Sequence, residues 1–282
     1  MYALAECGYR LVDTAKRYGT EAFLREALLA EGVPPRERLF ITSKLWPTDY
    51  GSSSTVKAAL RGSLDRLGLH HLDAFLIHYP AVSRRLEEQK WPLLAETWRA
   101  LELAYDEGLV RAIGVSNYSV EDLEKQLEHG GETASMRPLL NQIEFHPYQQ
   151  PTELLDYCAE NGIQVQGYCP LGSGNLVGEP VVAEVAGAVG RSPAQVLLRW
   201  SLQRGVPTIP KSTKRERVRE NAAVFDFELS DEHMTVLNGL KAQVGGGGGR
   251  KFVELDIAGK IDENLPDGYK LDARLKENLL AS

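Results

Sequence analysis

The chain has 282 residues, 43% of them hydrophobic, and a formal net charge of −7. That length supplies the core of one large barrel or of two ordinary domains. The acidic balance, spread along the whole chain, excludes the basic face with which a nucleic-acid binder meets phosphates, and no apolar run reaches the length of a membrane span.

In chain order, short β-rich runs alternate with helical patterns. Strand candidates fall at 9–15, 39–45, 72–79, 110–117, 139–145, 163–169 and 206–212. Helical spacing of apolar residues marks 53–67, 92–107, 120–129 and 193–204. Pro92, Pro151 and Pro193 sit where a first helical turn tolerates a missing N–H. The runs Ala74-Phe75-Leu76-Ile77 and Ala112-Ile113-Gly114-Val115 are continuously apolar, which suits parallel strands covered on both faces. Seven strand-and-helix units without a separate substrate domain predict an α/β chain of the (β/α)8 TIM-barrel type rather than an open doubly wound sheet.

After residue 240 the pattern changes. Gly245 to Gly249 form a glycine run that reads as a linker. The expected division is therefore a barrel over 1–244, a linker over 245–249 and a tail over 250–282. In the tail, 251–257 alternates like a half-exposed strand, with Val253, Leu255 and Ile257 on one side, and Leu271, Leu275 and Leu279 follow helical spacing. Lys251, Glu254 and Asp256 would be costly to bury, so the tail is expected to stay outside the sheet and to add little stability. The cysteines Cys7, Cys158 and Cys169 lack metal-ligand spacing, and no charged-then-apolar leader precedes Tyr2. A cytosolic protein without a metal is expected.

Chemistry accumulates towards the C-terminal ends of the strands: Asp13, Lys44, His78, Ser116 with Asn117, Gln142, Tyr168, and Lys211 with Ser212. Singly, Asp13 reads as a cap, Lys44 as a snorkelled side chain and His78 as a structural histidine. Their shared end of the strands favours function, because barrel sites are built on that rim. Tyr18 follows Asp13 closely. A phenol with a pKa of about 10 is a weak acid at neutral pH, and an adjacent ammonium such as that of Lys44 lowers that value. Asp13 would keep Lys44 charged, and His78 would orient a carbonyl oxygen. Such a group reduces carbonyls when a hydride donor is present.

Asp13-Thr14-Ala15 with Tyr18-Gly19, Ile41-Thr42-Ser43-Lys44-Leu45-Trp46, Leu76-Ile77-His78-Tyr79-Pro80, Gly114-Val115-Ser116-Asn117-Tyr118, Asn141-Gln142-Ile143-Glu144-Phe145-His146-Pro147-Tyr148 and Ile209-Pro210-Lys211-Ser212 together resemble the successive signatures of the aldo-keto reductases. The resemblance covers roughly residues 3–241. It implies Tyr18 as proton donor, Lys44 and Asp13 as its partners, and His78 as the residue that orients the carbonyl. It implies Ser116, Asn117 and Gln142 on a nicotinamide carboxamide, Tyr168 stacked on the nicotinamide ring, and Leu171 and Ser173 along the pyrophosphate.

A solvated basic helix start is the plain reading of residues 211–217. Set beside the family, Lys211, Ser212, Arg217, Glu220 and Asn221 imply a site for a 2′-phosphate and adenine, and hence NADPH. No G-x-G-x-x-G opens a first strand, in keeping with a non-Rossmann binder. Trp46 and Tyr79 are expected to wall the substrate pocket. The implied partner is a small-molecule carbonyl, with no nucleic acid or membrane, for a monomeric enzyme.

Two departures stand out. The family's opening Gly-Leu-Gly-Thr-like strand has no counterpart before Tyr2-Ala3-Leu4-Ala5, so an incomplete barrel is expected. An atypical tail follows Gln243 in place of the family's substrate loop. The rival reading is a catalytically impaired, cofactor-binding barrel that acts through protein contacts; a sugar-phosphate isomerase or aldolase leaves Tyr18 and Lys44 unexplained.

Overall fold

The apolar runs form parallel strands. The computed structural model describes residues 1–130, 136–243, 249–253 and 256–264, with strands β1 (Leu11–Asp13), β2 (Phe40–Leu45), β3 (Ala74–Ile77), β4 (Ile113–Ser116), β5 (Leu140–Glu144) and β6 (Gln164–Tyr168). They make one six-stranded sheet in sequence order. The parallel registers set Val12 opposite Ile41, Lys44 opposite Leu76, and Leu76 opposite Gly114. Every residue of β3, β4 and β5 is buried, as expected of parallel strands covered on both faces.

Residues 206–212, expected as a seventh strand, contribute a single parallel bridge between Gly167 and Thr208. The Gly167 N–H donates to the Pro207 carbonyl at 2.8 Å and the Ile209 N–H to the Gly167 carbonyl at 3.0 Å. Pro207 and Pro210 have no N–H to lengthen that ladder. The class is the expected α/β, (β/α)8-type one in incomplete form.

The helices are α1 (Tyr2–Glu6), α2 (Glu21–Leu28), α3 (Ser53–Leu67), α4 (Lys90–Asp106), α5 (Val120–Gly130), α6 (Thr152–Glu160), α7 (Pro180–Val189), α8 (Pro193–Gln203), α9 (Arg215–Ala222), α10 (Asp231–Gly239) and α11 (Ile257–Asn264). The chain divides inside β5 into two compact units, one built on Arg10–Asn141 with the C-terminal residues from Leu255, the other on Met1–Tyr9 with Gln142–Glu254.

In the first unit, α3 shows how sequence sets an element. Ser52 caps its N-terminus by accepting from the Thr55 N–H, Val56, Leu60, Leu64 and Leu67 form its buried stripe, and Gly68 ends it in the left-handed region. The α11 segment departs from expectation. None of the described residues among 249–253 and 256–264 is in a strand, and Ile257 opens a helix instead. Asp256 explains the change, because its carboxylate accepts from the Gly259 N–H at 2.9 Å and its carbonyl from the Lys260 N–H. The helix buries Ile261, and Ser83 donates to Asp262 at 2.5 Å, so these residues dock on the unit. Leu271, Leu275 and Leu279 lie outside the described residues.

In the second unit, α8 starts with a capping box: Ser192 accepts from the Gln195 N–H, Gln195 accepts from the Ser192 N–H, and Pro193 takes the first helical position. Phe145 stacks on Trp200, with centroids 4.9 Å apart. Tyr9 donates to the Val218 carbonyl at 3.0 Å, and Tyr2 lies under the Arg215 and Arg219 guanidinium groups, so the N-terminal segment buttresses α9.

Gly114 marks a tightly packed point of the first unit's core. A Cβ there would stand 2.7 Å from the Leu140 carbonyl oxygen and 2.9 Å from a Leu76 methyl. The backbone oxygen has little room to yield, so Gly114→Ala is expected to lower stability by about 1–3 kcal/mol, measured by urea denaturation. An unchanged midpoint would show that the strands separate at no cost.

Candidate active site

Asp13 ends β1, and Lys44 is the penultimate residue of β2, so the pairing of these two strands sets carboxylate beside ammonium. Lys44 is only 1% exposed. Its Nζ donates to both Asp13 oxygens at 2.6 and 2.8 Å, to the Thr14 carbonyl at 3.2 Å and to the Tyr18 hydroxyl oxygen at 3.2 Å. Tyr18 reaches it from a short 3-10 turn, Lys16–Tyr18, that Gly19 closes with a positive φ. The sequence expectation of a lowered phenol pKa is corrected here. Tyr18 as a residue is 49% exposed, yet desolvation of its phenol raises the pKa more than the Lys44 charge lowers it, and the net shift is upward.

His78 follows β3 and is buried. Its ring meets Tyr18 edge-on at 5.7 Å and Trp46 edge-on at 5.3 Å, and stacks on Tyr79 at 5.0 Å. Burial first, then the charges of Lys44 and Arg17, push its pKa down to about 3, so it is neutral at physiological pH. Its Nδ1 and the Trp46 Nε1 are buried with no hydrogen-bond partner among the described residues. The six residues Asp13, Tyr18, Lys44, Trp46, His78 and Tyr79 thus form one cluster, as expected. Ser116 ends β4, and Asn117 follows it with φ +66°. The Asn117 amide donates to the His78 carbonyl and to the Ser116 hydroxyl, both at 3.0 Å.

The second unit holds a cavity of about 560 Å³. Leu171, Ser173, Lys211, Ser212, Arg217, Glu220 and Asn221 all line it, so seven residues expected at a cofactor meet around one space. Among the described residues neither Lys211 nor Arg217 pairs with a carboxylate, which leaves two cations open to an anion. This donor set fits a phosphorylated dinucleotide. Tyr168 ends β6 and is not in the lining, and Gln142 lies at the centre of β5 rather than at its end, its amide donating to Gln166 at 2.7 Å.

Sequence reasoning missed Ser192 and Ala194 in this lining, and nothing in their local pattern signalled them. It also missed a clasp beside the cavity-lining loop. Glu144 is buried and accepts from the Phe252 N–H at 2.6 Å and the Val253 N–H at 3.3 Å, with His146 Nε2 at 3.1 Å. Burial raises its pKa, but these hydrogen bonds outweigh that and hold it low. The Phe252 ring lies against Gly172, where a Cβ would come within 2.9 Å of it.

The family model described as the Aldo/keto reductase family matches residues 1–242. An uncharacterised oxidoreductase of Caenorhabditis elegans is 45% identical over 276 residues, covering 98% of this chain and 81% of the relative. The similarity therefore runs into the tail that sequence patterning marks as atypical. A glyoxal reductase of Bacillus subtilis is 46% identical over 233 residues, covering 83% and 79% of the two chains. Among solved structures, an aldo-keto reductase from a deep-sea metagenome of the Medee basin superposes with a TM-score of 0.79 at 36% identity, covering 90% of this chain and 88% of that one. This chain belongs to the aldo/keto reductase family. It is an oxidoreductase of the carbonyl-reducing kind, in a family that uses NAD(P)H.

His78 gives the site a pH signature. Its folded pKa of about 3 lies below its ordinary 6.5, so the unfolded chain binds more protons between these values. The associated stability is complete above about pH 6.5 and is lost as the pH falls towards 3. Between pH 7 and 4.5 the wild type is expected to lose about 2–3 kcal/mol more than His78→Gln, read from urea denaturation at both pH values. Equal losses would mean that His78 is protonated in the fold.

Proposed function

We propose that this chain reduces aldehydes or ketones to alcohols with NADPH, Tyr18 giving the proton. The observation that carries the proposal is the direction of the hydrogen bonds at Tyr18. Lys44 donates to the phenol oxygen, so the phenol's own hydrogen is free for a substrate carbonyl oxygen. The raised pKa keeps that proton in place at rest, and the ammonium stands ready for the phenolate charge that develops on transfer. Asp13 fixes the ammonium, and the neutral His78 ring orients the carbonyl.

NADPH supplies the hydride when bound. Lys211, Ser212 and Arg217 would take the 2′-phosphate, Glu220 and Asn221 the adenine edge, and Leu171 and Ser173 the pyrophosphate. Ser116, Asn117 and Gln142 would hold the carboxamide, and Tyr168 the nicotinamide face. The unpaired cations of the cavity support NADPH over NADH. Cys7, Cys158 and Cys169 form no disulfide, and a cytosolic, monomeric enzyme is part of the same proposal. No helix among the described residues is long and apolar enough to cross a membrane.

Tyr18→Phe is expected to lower carbonyl reduction by about 10²–10⁴-fold while NADPH binding, followed by cofactor fluorescence, stays close to wild type. Wild-type turnover in this variant, with chemistry limiting, would remove Tyr18 as the acid. Arg217→Ala is expected to weaken NADPH by about 1.5–3 kcal/mol and NADH far less, because only NADPH carries the extra phosphate. Equal weakening of the two cofactors in the same titration would move the phosphate site elsewhere.

A further inference from the structure

Arg17 sits between two residues whose partners are plain. Lys16 donates to both carboxylate oxygens of Asp49 at 2.7 and 3.0 Å, and Tyr18 accepts from Lys44. Arg17 has no carboxylate partner among the described residues. Its guanidinium carbon lies 5.4 Å from the Trp46 ring centroid. Trp46 in turn stands edge-on to His78 at 5.3 Å and to Tyr79 at 6.1 Å. The cation is therefore held on the aromatic wall of the reaction centre, two ring contacts from His78, with its charge unneutralised.

From this placement we infer that Arg17 selects carbonyl substrates that carry a carboxylate at the end remote from the reacting carbonyl. The inference rests on the assignment of Tyr18, Lys44 and His78 as the reduction centre, and it names the substrate class of that centre.

Three physical points support it. A guanidinium held over an indole by cation–π attraction keeps its N–H groups for a planar carboxylate, which a guanidinium binds through two parallel hydrogen bonds. Its separation from His78 by the width of the indole directs the anion to the far end of a compact substrate rather than to the carbonyl itself. The chain's net charge of −7 repels anions in general, so a local cation decides whether one is accepted. The Arg17 charge is also felt at His78, after burial and Lys44, in the direction that keeps the ring neutral.

A matched pair of substrates isolates the charge: 4-carboxybenzaldehyde and its methyl ester, which share the aldehyde and the ring. Each is assayed at saturating NADPH with wild type, Arg17→Gln, Arg17→Lys and Arg17→Glu, at low and high ionic strength. Wild type is expected to favour the acid in kcat/KM by about tenfold or more, the value of one charge-assisted contact, and added salt is expected to narrow the gap. Arg17→Gln should lower the acid-to-ester ratio about tenfold, chiefly through the KM of the acid. Arg17→Lys should keep part of the preference, and Arg17→Glu should reverse it.

An acid-to-ester ratio near one in wild type, or a ratio that Arg17→Gln and Arg17→Glu leave unchanged, would overturn the inference and reduce Arg17 to a cover for Trp46. Those outcomes leave carbonyl reduction standing. Failure of wild type to reduce either aldehyde would instead overturn the reduction centre, and the inference with it.

Discussion

The ion pair between Lys44 and Asp13 is the constraint on which the first unit's chemistry depends. An ammonium only 1% exposed would lose its charge or destabilise the fold unless every proton on it were met. Two carboxylate oxygens, a main-chain carbonyl and a phenol oxygen meet it. Because Asp13 and Lys44 lie on neighbouring strands, the register of β1 on β2 is also the geometry of this ion pair. Packing of the sheet and the surroundings of Tyr18 are in this sense one problem: whatever shifts the register moves the ammonium that donates to its hydroxyl oxygen.

The two units handle charge in opposite ways. In the first, the cluster around Lys44 neutralises its own cation internally, and burial keeps His78 uncharged at rest. In the second, Lys211 and Arg217 line a cavity with no carboxylate bonded to them among the described residues. A pair satisfied within the protein can be buried at little net cost, whereas cations meant for a ligand must stay where water can reach them until it arrives. The exposure of Lys211 and Arg217 fits that requirement.

Much of this was legible in the sequence. Continuous apolar runs disclosed the buried strands, and their ends placed Asp13, Lys44 and His78 together, because a parallel sheet aligns all its C-terminal ends. Residues 206–212 look like a strand in composition, yet prolines at 207 and 210 restrict them to one bridge. Alternation over 251–257 suggested a strand, but a single carboxylate at Asp256 capping the next residues gave a helix. The upward shift of the Tyr18 pKa was not legible either, since it depends on how far burial outweighs a neighbouring charge, and spacing carries no measure of burial.

The clasp at Glu144 recognises main chain rather than side chains. Its carboxylate oxygens hold the N–H groups of residues 252 and 253, which any residue but proline would offer. Identity is tested at Phe252, whose ring needs the bare face of Gly172 beneath it. Just before the clasp, Gly249 is held at φ +78°, where a Cβ would stand 2.9 Å from the Tyr148 carbonyl oxygen, and Glu144 and Gly172 are tied to a segment more than 75 positions away. Because Gly172 lies within the loop that lines the cavity, substitutions in the C-terminal segment can alter that cavity without touching any residue in its wall.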